Sequence, residues 1–403
     1  MEATKESGRR AVSSSRSRAI PPSSTVAIAD LASRMRRQGL SVVDFSAGRA
    51  AEATSEAVCE AAKGALDRGD THQTEARGRP DYLQACAHKL ARDNGLDLDP
   101  GRHLIATLGC KQGLVLSLLS ALDPGDEIVI EDPCFVSYEP TIRLLGGVPV
   151  RAPLRREHGY RWRREDLDRV VGPRTRAILF CSPHNPLGVV HGAEDLEVIA
   201  AVAQESGLTV IVDEIYEAVT WGGRSHLPIA SLPGMAQRTI GLMGLTKTYS
   251  MGGWRIGYAY GPEALISRMV TAQQHLMTCA SSFCQAGATR ALGDEVTRSM
   301  RELWQDWEGR CEWMSRSLDD LPGLRASKPE GAFYAWVDIR ELGLGSEELA
   351  RRLLEEQQVA VVPGAAFGEP SADFLRVTCV RSRDELELGV ERIGKFLETL
   401  SNR

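Results

Sequence analysis

Lys247 stands in TIGLMGLTKTYSMGGWRIGYAY, residues 239–260, just past an apolar run of strand character that stops at Gly244. An amine at the tip of a buried strand loses hydration, its pKa falls, and the neutral form can condense with an aldehyde as a Schiff base. Thr246 lies beside it. Arg255 follows on what reads as a neighbouring strand, and a fixed cation there suits a phosphate. Read alone, the stretch fits equally a turn lysine and a strand-end arginine, both solvated, because a short motif needs its context.

The rest of the chain supplies that context. Asp213, in IVDEIYE, ends a second apolar strand, where a carboxylate is costly unless a cation faces it. A protonated pyridine nitrogen is such a cation. Asn185 and Tyr216 offer hydrogen bonds suited to a phenolate oxygen, and Phe135 offers a flat ring for stacking. The turn Gly109-Cys110-Lys111-Gln112 carries a strand into a helix, whose free N–H groups and positive dipole end can cradle a phosphate together with Arg255. An aldehyde-binding amine, a ring-nitrogen carboxylate, ring-oxygen donors, a stacking ring and a phosphate pocket together describe pyridoxal 5'-phosphate. Each residue by itself has a mundane alternative.

The elements that must position these residues alternate. Strands read at 127–131, 148–152, 176–181, 208–212, 239–243 and 255–260, with helices at 137–145, 193–206 and 262–277. β-Branched runs between helices predict an α/β fold with a mostly parallel sheet covered on both faces. In such sheets, ligands sit beyond the carboxyl ends of the strands, where the candidate residues fall. Before this region the spacing predicts a helix over 25–39, a strand over 41–45 and helices over 55–67 and 80–94, the last opened by Pro80. After it come a long helix over about 281–320 with Trp304, Trp307 and Trp313 on its apolar side, a strand at 331–337, a helix at 346–356, strands at 359–362 and 374–379, and a helix at 383–400. Three units follow: a Ser- and Arg-rich tail over 1–18 expected to be disordered, a large cofactor-binding domain over 56–299, and a discontinuous α+β small domain formed by 19–55 and 300–403.

Composition narrows the function classes. A chain of 403 residues exceeds one ordinary core, and its net charge of -6 argues against a general nucleic-acid binder. No apolar run approaches the roughly 18–20 residues of a membrane span, and no signal peptide is evident, so a cytoplasmic location and no membrane partner are expected. The nine cysteines are scattered without CxxC or Cys/His clusters, which fits reduced thiols and no metal site. Neither a Walker motif nor a GxGxxG fingerprint is present.

From about residue 18 to its end the chain resembles the class I/II aminotransferases of the fold type I pyridoxal-phosphate family and is similar to bacterial aspartate aminotransferases. The resemblance is carried by Lys247 in GLTKTYSMGGWRIGY, Asp213 and Tyr216 in DEIYE, Asn185 in SPHNPLG, Phe135 and Tyr138 in PCFVSY, GAFYAWVD, VAVVPGAAFG, and Arg376 in FLRVT. It implies that Lys247 holds the internal aldimine and shuttles the Cα proton through a quinonoid. It also implies that Asp213 keeps the ring nitrogen protonated and that Arg376 clamps the substrate α-carboxylate, with Asn185 and the Gly48 backbone nearby. A homodimer with shared active sites and an L-amino-acid substrate are further implications.

Several positions depart from the family pattern. Gly48-Arg49-Ala50-Ala51 replaces a Gly-Glu-Pro-Asp-like turn, Gln73 stands where a tyrosine reaches the neighbouring subunit's phosphate, Phe135 replaces a tryptophan, and Leu187 a threonine. The kept chemistry with a rewritten mouth predicts an aminotransferase for an anionic substrate met by Arg49, Arg77 and Arg79. The alternative is β/γ-elimination, replacement or C–C bond formation in a specialised pathway at the same site.

Overall fold

The computed structural model describes residues 24–401 together with Arg18 and Ile20, so the tail expected over 1–18 lies outside the described residues apart from Arg18. In chain order the strands are β1 (Val43–Asp44), β2 (Leu104–Thr107), β3 (Glu127–Asp132), β4 (Val148–Pro153), β5 (Thr175–Cys181), β6 (Thr209–Asp213), β7 (Thr239–Gly244), β8 (Gly257–Tyr260), β9 (Arg325–Ser327), β10 (Tyr334–Asp338), β11 (Val359–Ala360), β12 (Val362–Pro363) and β13 (Phe374–Thr378). Seven of them form one sheet in the order β2-β8-β7-β6-β5-β3-β4. Its pairs from β7 to β4 are parallel, and β8 runs antiparallel to both β7 and β2. The expected α/β class with a mostly parallel sheet is what forms. Its central strands are buried along nearly their whole length, because helices such as Cys110–Ala121, Ala193–Glu205 and Glu263–Leu276 cover the faces.

Close approach inside this sheet selects glycine at position 241. Gly241 on β7 faces Tyr260 on β8, and a Cβ at 241 would lie 2.1 Å from the Tyr260 ring. The bare backbone lets that ring cross the strand and place its hydroxyl 2.7 Å from the buried Glu214 carboxylate.

A four-stranded sheet, β12-β13-β10-β9, and the parallel pair β1-β11 make up the remaining strands. The run expected as one strand over 359–362 splits, since β11 pairs with β1 while β12 pairs with β13. The strand expected from 331 begins at Tyr334 because Ala332 adopts φ 57° and Gly331 is bridged to Thr220 instead.

The long helix expected over 281–320 is two helices, Ser282–Ala291 and Asp294–Asp319. Gly293 is extended (φ -68°, ψ 152°) and caps the second helix, whose first turn carries Asp294 and Glu295 against the positive end of the dipole. The second helix holds the site from behind. Trp307 is fully buried with its ring edge-on to Phe333, and the Trp304 indole N–H donates to the Thr248 carbonyl at 2.9 Å, one residue past Lys247. Trp313 stays partly exposed under the Arg383 guanidinium.

Helix Glu56–Asp67 and helix Pro80–Asn94 fall where the periodicity puts them, and Ser24–Arg37 packs Ala32 against Leu354 and Ala360. Arg36 stays exposed and bonds the buried Asp44 carboxylate at 2.8 Å. No helix among the described residues is long and apolar enough to cross a membrane.

Candidate active site

Strand β7 ends at Gly244, and the turn after it delivers Lys247 into a cleft at the carboxyl edge of the large sheet. The Lys247 amine donates to the carbonyl of Gly48. Desolvation in the cleft, with the nearby Arg376 charge second, lowers its pKa from 10.5 to about 8. A useful fraction is therefore neutral and nucleophilic near physiological pH.

Across the cleft, β6 ends at Asp213, which is 7 % exposed. Burial raises its pKa to about 6, against the Ile215 N–H at 3.3 Å and the Tyr138 hydroxyl at 3.1 Å, which both favour the charged form. No salt-bridge partner within 4.0 Å faces this carboxylate among the described residues. A buried acid that lacks a cation and borders a cavity fits a protonated ring nitrogen.

The third wall is the turn into helix Cys110–Ala121. Gly109 takes φ 83°, and a Cβ there would sit 3.3 Å from Arg255 Nη2. Arg255 itself is left-handed (φ 51°) and precedes β8 rather than lying on it, a correction to the expected strand at 255–260. That conformation aims its guanidinium back at the turn, where it donates to the carbonyls of Leu108 and Gly252 at 3.1 Å. Lys111 is near enough that burial and the Arg255 charge lower its pKa, and neither cation has an acidic partner among the described residues. Two unneutralised cations beside the first N–H groups of a helix, with Thr246 on the same cavity wall, make a site for a dianion.

Phe135 lines the same cavity, its ring edge-on to Tyr138 at 5.5 Å. Asn185 and Tyr216 also line it, and both are already engaged: Tyr216 shares a 2.7 Å hydroxyl contact with Tyr334, and the Asn185 carbonyl oxygen accepts from Arg376 at 3.1 Å. Arg376 is 3 % exposed and carries a side-chain nitrogen, Nε, without a partner. Three successive carbonyls are taken by side chains from this region: Ser46 by Arg376 at 2.9 Å, Ala47 by Thr378 at 2.9 Å and Gly48 by Lys247. The segment before Arg49 is thereby stitched onto the cavity rim.

The structure brings Lys247, Asp213, Tyr216, Asn185, Phe135, Thr246, Gly109, Cys110, Lys111, Arg255, Gly48 and Arg376 together. It does not bring Arg77 or Arg79 there. Arg77 donates to the carbonyls of Arg102 and Leu104, and Arg79 pairs with Asp81 and Asp70, so both are spent on structure within the chain. Arg49 is exposed, and Gln73 borders a separate surface cleft with Asp70, His72 and Ser282. Leu187 is buried at 3 % in the core on the sheet's other face. Tyr334 and Cys181 were not singled out from the sequence as site residues. The alternation in GAFYAWVD marks two faces but not which aromatic meets the cleft.

A family model described as aminotransferase class I and II matches residues 41–393. The chain is 37 % identical over 346 residues to an aromatic-amino-acid aminotransferase 2 of Thermococcus litoralis, covering 86 % of this chain and 89 % of that protein. It is 36 % identical over 379 residues to an aspartate aminotransferase of Pyrococcus abyssi, covering 94 % and 96 %. Among solved structures, the aspartate aminotransferase of Thermus thermophilus with maleate superposes with a TM-score of 0.91 at 35 % identity, covering 96 % of this chain and all of that one. The cleft geometry and these likenesses agree: the chain belongs to the class I and II aminotransferases, which work with pyridoxal 5'-phosphate.

Proposed function

We propose that this aminotransferase acts on an acidic L-amino acid, binding the α-carboxylate on Arg376 and meeting a second anionic group with Arg49. One observation carries the reading: a lysine with a pKa of about 8, a buried carboxylate without a direct ion pair among the described residues and a buried arginine surround one cleft. When bound, pyridoxal 5'-phosphate supplies an electrophilic aldehyde carbon and a ring that accepts electrons from the substrate Cα. Every other task falls to the chain.

With the cofactor bound, the Lys247 amine would take the proton from the substrate Cα and return one. Asp213 would hold a proton on the ring nitrogen, and the Tyr138 hydroxyl favours the ionised form of that carboxylate. Phe135 would cover one ring face. Tyr216 and Asn185 would address the ring oxygen, and Gly109, Cys110, Lys111, Thr246 and Arg255 would hold the phosphate. Arg376, fixed by Asn185 and by Ser46, offers its fork to the carboxylate so that the Cα–H bond is presented to the amine.

Arg49 follows the residue whose carbonyl receives Lys247, and its guanidinium has no ion pair among the described residues. The aspartate aminotransferases among the relatives act, by their names, on a dicarboxylic amino acid. A homodimer in a reducing cytoplasm completes the proposal. It is supported by nine unpaired cysteines and by the exposure of His72 and Gln73 away from their own chain's cleft. The strands of the large sheet all lie within 104–260 and those of the four-stranded sheet within 325–378, which supports the division into 56–299 and 19–55 with 300–403.

The test is a screen of amino acids by absorbance of the bound cofactor. Acidic amino acids are expected to convert it to the pyridoxamine form, and Arg49→Ala is expected to raise KM for them by about tenfold while sparing neutral ones. Reaction with neutral amino acids alone contradicts the substrate class, and released olefin or ammonia in place of the pyridoxamine form contradicts transamination.

A further inference from the structure

We propose that Tyr334 is a positioning residue that holds the cofactor-facing tyrosine with its hydroxyl and the carboxylate-binding arginine with its ring. The proposal rests on the roles given above to Tyr216 and Arg376.

Tyr334 opens β10 and is 1 % exposed. Its hydroxyl lies 2.7 Å from that of Tyr216. Its ring centroid lies 4.3 Å from the guanidinium carbon of Arg376, a cation–π distance. The strand register accounts for the second contact. Tyr334 pairs with Thr378 and Trp336 with Arg376 across β10 and β13, so Tyr334 and Arg376 are diagonal neighbours on one face of the sheet.

Two further contacts lock the geometry. Phe333 sits edge-on to Tyr216 at 5.4 Å, beside the edge-on Tyr334 ring at 5.8 Å. A Cβ on Gly48 would lie 2.7 Å from the Tyr334 hydroxyl, so the glycine at the head of the rewritten turn makes room for this hydroxyl beside the carbonyl that receives Lys247. One side chain of the four-stranded sheet therefore touches groups on both sides of the reaction centre. Its hydroxyl meets Tyr216 and its ring meets Arg376.

Those two functions separate by substitution. Tyr334→Phe keeps the ring on Arg376 and removes the bond to Tyr216. It is expected to shift the visible band of the bound cofactor and to lower kcat several-fold, with KM for the amino acid held within about twofold. Tyr334→Leu removes both contacts and is expected to add a KM increase of about tenfold. A packing role alone predicts lower Tm in both variants with the band and KM unmoved. An unmoved band in the Phe variant, or an unchanged KM in the Leu variant, overturns the proposal. If the Leu variant does not fold, the Phe variant's band decides. Arg376→Lys in the same series separates this inference from the reading it rests on. An unchanged KM there contradicts the carboxylate role of Arg376, whereas a raised KM there beside an unchanged KM in Tyr334→Leu contradicts the role of Tyr334 alone.

Discussion

The Tyr138 hydroxyl donates to Asp213 Oδ2 at 3.1 Å, and both side chains are buried. This bond opposes the burial that drives the Asp213 carboxyl upward. Removing it in Tyr138→Phe shifts the carboxyl toward its neutral form, which cannot hold the ring-nitrogen proton. The expected result is a kcat lowered about tenfold at neutral pH and partly recovered as pH rises and Asp213 ionises again. A pH–rate profile of the variant beside the parent checks this.

Asp213 also predicts how the cofactor-free protein responds to pH. Its carboxyl rises from 3.8 in the unfolded chain to about 6 in the fold, so the fold prefers the neutral acid. Its contribution is most favourable below pH 4 and is lost as pH rises through about 6, a change of up to about 3 kcal/mol. Denaturant titrations between pH 4 and 7 are expected to show this loss in the parent and a flatter profile in Asp213→Asn.

The Lys247 amine reacts only when neutral. With its pKa lowered to about 8 by burial and by Arg376, the rate at which cofactor-free protein recaptures pyridoxal phosphate is expected to rise with pH through a midpoint near 8. Arg376→Met removes the neighbouring charge and moves that midpoint up. A midpoint at the ordinary lysine value in the parent contradicts the desolvated amine.

Arg376 can be weakened without removing its charge. Arg376→Lys keeps a cation but loses the planar fork, one arm of which binds Asn185 and the other Ser46. KM for the amino acid is expected to rise by about 10- to 100-fold, with a smaller change in kcat. Steady-state kinetics on an acidic substrate reads the split.

Behind the site, Gly241→Ala places a methyl group in the Tyr260 ring and displaces the hydroxyl that bonds Glu214. The expected cost is about 1–3 kcal/mol, read as a lower denaturant midpoint of the holoenzyme.

Much of this architecture was legible because its signals are local. The β-branched runs that became β3, β5, β6 and β7 are buried on both faces and read as strands without reference to partners, and they place Asp213 and Lys247 at one sheet edge. Pro80 and the apolar period place the helix Pro80–Asn94 to the residue. What stayed hidden depends on distant contacts or on single backbone angles. The left-handed Arg255 is one residue's φ within a run that otherwise reads as strand. The break at Gly293 required weighing one glycine against a strong helical period on either side. Arg77 and Arg79 lie in a polar loop that reads as part of the mouth, yet the carbonyls of Arg102 and Leu104 that bind Arg77 are more than twenty residues away in sequence. Tyr334 was visible as one aromatic in an alternating strand, but its partners Tyr216 and Arg376 meet it only once two sheets come together.

The central claim is that Lys247 bonds the cofactor's aldehyde carbon while Asp213 faces its ring nitrogen. Borohydride reduction of the holoenzyme followed by peptide mapping tests it most directly. A reduced phosphopyridoxyl group on Lys247, absent from Lys247→Ala, is the expected result; a label on Lys111 or another lysine, or none in a protein that transaminates, rules out Lys247 as the attachment point.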